Sequence, residues 1–389
     1  MLNKRYAARR KAAAVADADR TVLLFFELTE VDKWIRGDRL IRRVIKDRYR
    51  RLTGRRRVLG VQRAFLQLVA ALERAGYHVQ INDRRSALDH PRHPIGLCGW
   101  PHVLHCWDLP NPAILGPGLF DHPGQAPKLM EDPRYSRYMV NSPWTFDLFR
   151  PYYGDTLFQW FAGVDTEAWP DTRDHPKSID VLIYAKFLWD PPAMRRTMLA
   201  PVVDALERRG MTWQVLHYGS HNHEQYRDLL NRARALIFLC EHETQGIAVQ
   251  EAMSCGLPVL AWDAGWWLDP VRLNYGPADV PASSVPYFSP ECGERFSGVG
   301  DFEPALDRFL ASQAAYDPRR FVIDTLSMDR SARIYADEYF GLLPAPSEGR
   351  RPVPRSSRQT QAINERRRRP CPCSADRSSP ASADPRNHV

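Results

Sequence analysis

Short apolar runs alternate with longer amphipathic runs along most of the chain. The run Thr21–Phe26 predicts a buried strand, and the run Val61–Arg74 repeats apolar residues at the helical period. A glycine stop at Gly76 ends this helix, and Tyr77–Val79 begins the next strand. Further strands are predicted at 135–141, 158–161, 179–185, 213–217, 236–239 and from 259, and further helices from 143 and at 224–233, 302–315 and 328–341. Strands that alternate with helices predict an α/β fold with parallel sheets.

The polar loop between Leu239 and the next helical run is the most informative stretch of the sequence. Ligands bind at the carboxyl ends of strands in parallel sheets, and Glu243 lies at such an end, with Glu251 eight residues further on. The first amides of a helix attract phosphate, and Gly246 lets a phosphate approach the backbone. The two carboxylates would then face hydroxyl groups. Alternatively, Glu243 caps the helix and Glu251 is a solvated helix residue; the pattern alone leaves both interpretations open.

The segment from Glu243 to Val259 resembles the E-x7-E motif of family 4 glycosyltransferases. Gly246, Glu251-Ala252-Met253 and Gly256-Leu257-Pro258-Val259 match the motif, whereas Gln245 stands where the family has an aromatic residue. The resemblance implies the GT-B fold, in which two Rossmann-like domains face each other across a cleft, and a retaining reaction. It also implies a nucleotide-sugar donor, with Glu243 on the transferred sugar and Glu251 on the ribose. Amides near Gly246 and Ile247 would meet the donor, and Gln245 would lie on the sugar side.

Basic residues that follow the strand 179–185 are candidates for holding a diphosphate. Lys186 matches the first basic position of the resembled family, and Arg195 or Arg196 would supply the second. Cations suit this place because the leaving nucleoside diphosphate gains negative charge as the glycosidic bond breaks. The alternative is that Lys186 is a surface lysine. The segment Gly163-Val164-Asp165-Thr166 also looks like the family's segment near the junction of its two domains.

Candidate residues are sparser in the amino-terminal half. Gly60 precedes the first long helix, as a glycine loop does in the family, and either approaches the donor or acceptor or is an ordinary turn glycine. His122, with His105 as the alternative, is the candidate for the family's histidine that contacts the donor sugar. The spacing of the loop histidines fits no zinc pattern. Short apolar runs predict strands at Val103-Leu104 and Ala113–Leu115. Trp266-Trp267 either stack on a base or sugar or form interdomain core.

Three segments are predicted from these patterns. Residues 1–172 form an acceptor-side Rossmann-like domain with a basic amphipathic insertion at 28–57. Residues 173–343 form the nucleotide-sugar domain, with a last helix that returns to the first domain. Residues 344–389, rich in Arg, Pro and Ser, form a disordered basic tail.

The net charge of +8 is unevenly distributed. Residues 1–57 carry 18 Lys and Arg against 7 Asp and Glu, and residues 344–389 carry 10 Arg against 4 acidic residues, so the body between is net negative. This distribution argues against a protein that binds nucleic acid with its whole surface. The amphipathic run 39–52 either contacts an anionic membrane peripherally or packs on the body with solvated arginines.

Compartment and activity follow from the same observations. The seven cysteines show no disulfide framework, no apolar run is long enough to span a bilayer, and the amino terminus lacks a secretory h-region. These features predict a cytoplasmic protein, with membrane association on the cytoplasmic face if 39–52 binds lipid. The predicted activity is transfer of a sugar from a nucleotide-sugar donor to an unidentified acceptor, without a metal ion or cofactor. The alternatives are an epimerase or phosphorylase on the same fold, and a non-catalytic membrane- or nucleic-acid-binding protein.

Overall fold

Two parallel β-sheets organise the computed structural model, which describes residues 20–28, 60–105, 108–276 and 279–343. The first sheet has six strands in the order β2-β1-β3-β4-β5-β6, and the second has five in the order β11-β10-β9-β7-β8. Every strand pairing in both sheets is parallel. The strands are β1 Thr21–Glu27, β2 His78–Ile81, β3 Ile95–Gly99, β4 Ala113–Gly118, β5 Tyr135–Val140, β6 Leu157–Gln159, β7 Ile179–Lys186, β8 Trp213–His217, β9 Ala233–Cys240, β10 Val259–Trp262 and β11 Gly293–Phe296. The predicted α/β fold is confirmed.

Helices lie between most successive strands and cover the sheets. The helices are α1 Gly60–Arg74, α2 Arg84–Asp89, α3 His102–His105, α4 Pro143–Tyr153, α5 Pro191–Met194, α6 Ala200–Arg208, α7 His223–Arg232, α8 Ile247–Ser254, α9 Val299–Ala311, α10 Pro318–Thr325 and α11 Met328–Phe340. Ser142 caps α4 through its side chain, and Pro143 occupies the first turn, as their order in the sequence predicts. Among these helices, none is long and apolar enough to cross a membrane.

One predicted strand is wrong. Val103 and Leu104 belong to the short helix α3, in which their amides donate to the carbonyls of Trp100 and Pro101. The cause is the turn at Gly99, whose φ of +108° takes the chain out of the sheet. A Cβ at Gly99 would lie 2.1 Å from the carbonyl oxygen of Glu27, so only glycine fits this position.

The second sheet is buried on both faces. One face packs under α7, α8 and α10, with Leu182, Leu236 and Phe238 in its core. The other face packs under α6 and α9, with Ile183 and Ile237 at its centre. Because strands buried on both faces need apolar residues at every position, β9 is one continuous apolar run at its carboxyl end.

The last helix, α11, packs against the first sheet and α1. The Tyr339 hydroxyl accepts a hydrogen bond from the Leu23 amide at 2.8 Å and donates to the Pro94 carbonyl. The Trp160 indole donates to the Ser331 carbonyl at 3.1 Å. Both sheets belong to one compact unit that ends at Leu343. We refer below to the part with the first sheet as the amino-terminal domain and to the part with the second sheet as the carboxyl-terminal domain; the boundary at residue 172 stays a prediction.

Three predicted features lie outside the described residues. They are the insertion at 28–57, all but one residue of which is undescribed, the membrane-binding run at 39–52 and the basic tail at 344–389.

Candidate functional site

The parallel register of β7 and β9 brings Lys186 next to the loop that carries Glu243. Lys186 pairs with Cys240 at the carboxyl ends of the two strands, and Glu243 follows three residues later. The Lys186 Nζ lies 2.6 Å from the Glu243 Oε1, and the two side chains are 15% and 14% exposed. Lys186 is therefore not a surface lysine: it forms a largely buried ion pair with the first glutamate of the motif.

The Glu243 carboxylate keeps Lys186 charged. Burial is the largest single effect and disfavours the ammonium, but the interactions with Glu243, Cys240 and Tyr218 together outweigh it and raise the pKa of Lys186 above its ordinary value. The Lys186 Nζ also lies 4.9 Å from the ring centre of Tyr218, a cation–π distance. A permanent cation thus stands at the carboxyl edge of the second sheet.

The backbone of Glu243 is held from two sides. Its carbonyl accepts a hydrogen bond from the Trp144 indole at 2.8 Å, and its amide donates to the Ser283 carbonyl at 2.9 Å. Trp144 belongs to α4 of the amino-terminal domain. The position of the glutamate therefore depends on both domains.

The amino-terminal tip of α8 follows directly. Gly246 is its N-cap with a φ of +76°, and no side chain caps the helix. A Cβ at Gly246 would lie 3.1 Å from Val249 and in strained backbone, so the position favours glycine. Ile247 is the first helical residue. The alternative that Glu243 caps the helix is wrong, because Glu243 contacts Lys186 instead.

Glu251 is buried and crosses to the amino-terminal domain. Its side chain is 1% exposed and its Oε1 accepts from the guanidinium of Arg63 on α1. Among the described residues, its other oxygen, Oε2, has no hydrogen-bond partner. The alternative of a solvated helix residue is therefore wrong. Arg63 was not among the predicted site residues, since nothing in the sequence near it points to a partner 188 positions away.

The Gln245 side chain is already engaged within the protein. It is 6% exposed, and its Oε1 accepts from the Ala162 amide at 2.9 Å while its Nε2 donates to Gln250 at 3.1 Å. These bonds tie the segment after β6 to the start of α8. The polar replacement of an aromatic residue thus has a local structural explanation.

His122 lies where the two domains meet. The residue is 5% exposed, and its ring is nearly parallel to those of Tyr275, at 4.6 Å, and Trp267, at 5.9 Å, between ring centres. The Nδ1 accepts from the Gly124 amide at 2.9 Å, and burial lowers the pKa of His122, so the ring is neutral at pH 7 with its proton on Nε2. The side chain of the alternative, His105, lies outside the described residues.

Aromatic rings link His122 to the loop of Glu243. The Trp267 indole donates to the His242 Nε2 at 3.0 Å, and Trp189 stacks on the His242 ring at 5.1 Å. Burial lowers the pKa of His242 to about 3, so the ring is neutral. The sequence offered no signal for His242.

The two adjacent tryptophans differ in burial. Trp267, at 2% exposed, is interdomain core, whereas Trp266 is 49% exposed.

Glu241 supports the segment that follows Lys186. Its Oε1 accepts from the amides of Leu188 at 2.9 Å and Trp189 at 3.3 Å. Burial raises the pKa of Glu241 to about 7, although these bonds favour its ionised form. The carboxyl group thus fixes Trp189 beside His242.

The remaining predicted residues lie apart from this cluster. Arg195 and Arg196 are exposed, in the π-helical turn Arg195–Leu199. Burial and the nearby Arg195 charge lower the pKa of His217, which places Arg195 beside the end of β8. Gly60 is exposed at the start of α1. Within the described ranges, no hydrogen bond or ion pair joins Arg195 or Gly60 to Lys186 or Glu243.

No metal cluster is found in the described part of the chain: it contains no group of three or more His, Cys, Asp or Glu side chains placed to hold an ion.

Comparison with known proteins places this site in context. Residues 199–275, which include β9, α8 and β10, match the family described as Glycosyl transferases group 1. No curated protein matches the sequence.

One solved structure shares the architecture at low sequence identity, and a second gives a weaker alignment. AviGT4, a glycosyltransferase involved in avilamycin A biosynthesis, is similar with a TM-score of 0.50 and 14% identity, over 83% of this chain and 98% of AviGT4. The sucrose-phosphate synthase from Thermosynechococcus elongatus aligns with a TM-score of 0.49 and 14% identity, over 83% of this chain and 99% of that chain. The likeness to AviGT4 concerns the fold.

The predicted GT-B architecture, with two Rossmann-like domains, is confirmed. Residues 199–275, which match the family described as Glycosyl transferases group 1, lie within that fold, and this match supports glycosyltransferase activity for the chain.

Proposed function

We propose that the chain transfers a sugar from a nucleoside diphosphate sugar, with retention, and binds that donor at the carboxyl edge of the second sheet. The observation that carries the proposal is the ion pair of Lys186 and Glu243, 2.6 Å apart beside the uncapped tip of α8. A cation, a helix tip and an acceptor carboxylate are the groups that a phosphorylated sugar requires.

Each group has a chemical task in this proposal. Lys186 and the first amides of α8 stabilise the negative charge that develops on the leaving diphosphate. Glu243 exchanges its contact with Lys186 for sugar hydroxyls and orients the sugar, a positioning effect. Glu251 accepts from the ribose through Oε2, the oxygen that has no partner among the described residues.

The other predicted donor contacts are retained as proposals. The neutral His122 offers its Nε2 proton to a sugar oxygen from the amino-terminal side. Arg195, which is exposed, supplies the second positive charge for the diphosphate, and Gly60 and Gly246 let the donor approach the backbone. Gln245 acts by holding the loop rather than through a free amide.

A panel of nucleotide sugars tests this function. We expect the wild-type protein to release nucleoside diphosphate from at least one donor, slowly to water and faster once an acceptor is supplied. Lys186→Met and Glu243→Gln should lower this rate by about 10²-fold or more, because each removes charge stabilisation or positioning of the transition state. Lys128→Met, which changes an exposed lysine, is the matched control and should keep the wild-type rate.

The alternatives give different products in the same assay. An epimerase converts the donor into an isomer without releasing nucleotide, and a phosphorylase requires inorganic phosphate and forms a sugar phosphate. Wild-type rates in both Lys186→Met and Glu243→Gln would contradict the site assignment.

A further inference from the structure

The ion pair between Arg63 and Glu251 joins the two domains at the candidate site. Arg63 lies in the first turn of α1, and Glu251 in the second turn of α8. The Glu251 side chain is 1% exposed, whereas Arg63 keeps 24% of its side chain accessible. The charge of a fully buried carboxylate is therefore compensated by a residue that a ligand can still reach.

Three tyrosines of the carboxyl-terminal domain influence Arg63 electrostatically. Burial lowers the pKa of Arg63, and Tyr226, Tyr184 and Tyr218 lie close enough to affect it. The Arg63 charge also contributes to lowering the pKa of His221, after the larger effect of burial. These effects indicate that the Arg63 charge lies near residues of β7, of α7 and of the loop after β8.

One carboxylate oxygen of Glu251 has no hydrogen-bond partner among the described residues. A carboxylate offers about four acceptor positions, and buried polar atoms are almost always hydrogen-bonded. Arg63 occupies Oε1, while Oε2 is buried without a partner among the described residues. The orientation of Oε2 is set by the bond that Arg63 makes to Oε1.

We propose that Arg63 is a positioning residue that fixes the free oxygen of Glu251, so that the site selects donors whose nucleotide carries a ribose 2′,3′-diol over 2′-deoxy donors. The inference rests on the proposed function, because it takes Glu251 as the ribose contact. A vicinal diol supplies two O–H donors to one carboxylate. A 2′-deoxyribose supplies one, and leaves a buried acceptor position unpaired, which costs about tenfold or more in affinity.

The guanidinium suits this task better than an ammonium. Its planar fork binds one carboxylate oxygen in a fixed direction, whereas lysine is a point charge on a flexible stem. Arg63→Lys should therefore keep the positive charge but hold the Glu251 carboxylate in a less fixed orientation. Arg63→Met removes both, and leaves the buried Glu251 carboxylate without its counter-charge.

The experiment compares ribo- and deoxyribonucleotides. Isothermal titration measures the dissociation constants of UDP, GDP and ADP and of dUDP, dGDP and dADP. For the base that binds best, we expect the wild-type protein to prefer the ribonucleotide by about tenfold or more. Arg63→Met should bring the preference near unity, and Arg63→Lys should give an intermediate value.

Two further variants guard against a folding defect. Glu251→Gln and Arg63→Met/Glu251→Gln both lack the buried carboxylate, so neither leaves an uncompensated carboxylate in the interior; in the single variant Arg63 loses its partner but is 24% exposed. If Arg63 acts through Glu251, the two variants should show the same small preference for ribose, because Arg63 has no carboxylate left to orient.

The outcomes separate the two levels of the proposal. Absence of binding of all three ribonucleotides to the folded wild-type protein overturns the proposed function. Binding with no ribose preference in the wild-type protein overturns the inference alone. A full ribose preference in Arg63→Met also overturns the inference. So does a ribose preference that Glu251→Gln keeps and Arg63→Met/Glu251→Gln loses, because Arg63 would then act without the carboxylate.

Discussion

Burial shifts the titration of two adjacent side chains at the end of β9. Glu241 is 4% exposed and its pKa is raised to about 7, while the pKa of the neighbouring His242 is lowered to about 3. Both shifts favour the neutral form, since burial penalises charge. The loop that carries Glu243 is therefore flanked by a neutral His242 and by a Glu241 that titrates near neutral pH, and its strong charges are the Lys186–Glu243 and Arg63–Glu251 pairs.

Glu241→Gln should change how stability depends on pH. Because the folded-state pKa of Glu241 is raised above its ordinary 4.5, its contribution is fully present below pH 4.5 and is lost as pH rises through about 7. The variant has no carboxyl group at this position and does not lose this stability. The free energy of unfolding of the variant minus that of the wild type should therefore rise by about 2–3 kcal/mol between pH 4.5 and pH 7. Denaturant unfolding at several pH values measures the difference, and parallel profiles for the two proteins would contradict it.

Some residues of the site could be predicted from sequence and others could not. Lys186 and Glu243 could be predicted because each follows a strand end and matches a position of the resembled family, and parallel pairing then brings them together. Arg63 could not be predicted, because its partner is set by how the two domains pack. His242 has no motif of its own, and its role depends on the rings of Trp189 and Trp267.

Helix α11 completes the core of the amino-terminal domain from the far end of the sequence. Tyr335 and Tyr339 are both fully buried between the helix and the first sheet. Only Tyr339 has a hydroxyl with hydrogen-bond partners, the Leu23 amide and the Pro94 carbonyl. The Tyr335 hydroxyl has none among the described residues.

The two tyrosines therefore make a matched test of this docking. Tyr339→Phe should lower the free energy of unfolding by about 1–3 kcal/mol, because it leaves the buried Leu23 amide unpaired. Tyr335→Phe removes an unpaired hydroxyl and should be nearly neutral or stabilising. Equal losses in the two variants, measured by denaturant unfolding, would refute the role of the Tyr339 bonds.

The sequence pattern predicted some strands and helices and missed others. The strands β7, β9 and β10 were found because each is a nearly continuous apolar run, which strands buried on both faces require. The strand β11, Gly293–Phe296, was missed because it is short, lies at the sheet edge and contains Glu294 and Arg295. Helix α10 was missed as well, since its apolar positions are few beside Arg319 and Arg320.

Contacts between the two domains converge on the candidate site. Trp144 holds the backbone of Glu243, Arg63 pairs with Glu251, and His122 stacks against Tyr275 and Trp267. Rearrangement of the domains would therefore change the site itself. Binding of a donor and closure of the domains are expected to be coupled for this reason.

Trp267 tests the contribution of this interdomain core. Trp267→Ala should lower the free energy of unfolding by about 3–5 kcal/mol, since it empties a buried aromatic position and removes the donor to His242. The adjacent and exposed Trp266 is the control, and Trp266→Ala should change stability by about 0.5 kcal/mol or less. Similar unfolding midpoints for the two variants would show that Trp267 is not part of the core.

The most direct measurement is a crystal structure of the protein with the nucleoside diphosphate that binds best in the titration. The account predicts the diphosphate beside the Lys186 Nζ and the tip of α8, with the ribose hydroxyls on Oε2 of Glu251. A nucleotide elsewhere, such as the cavity lined by Asp263, Arg295 and Asp301, with the Lys186–Glu243 pair left intact, would contradict it.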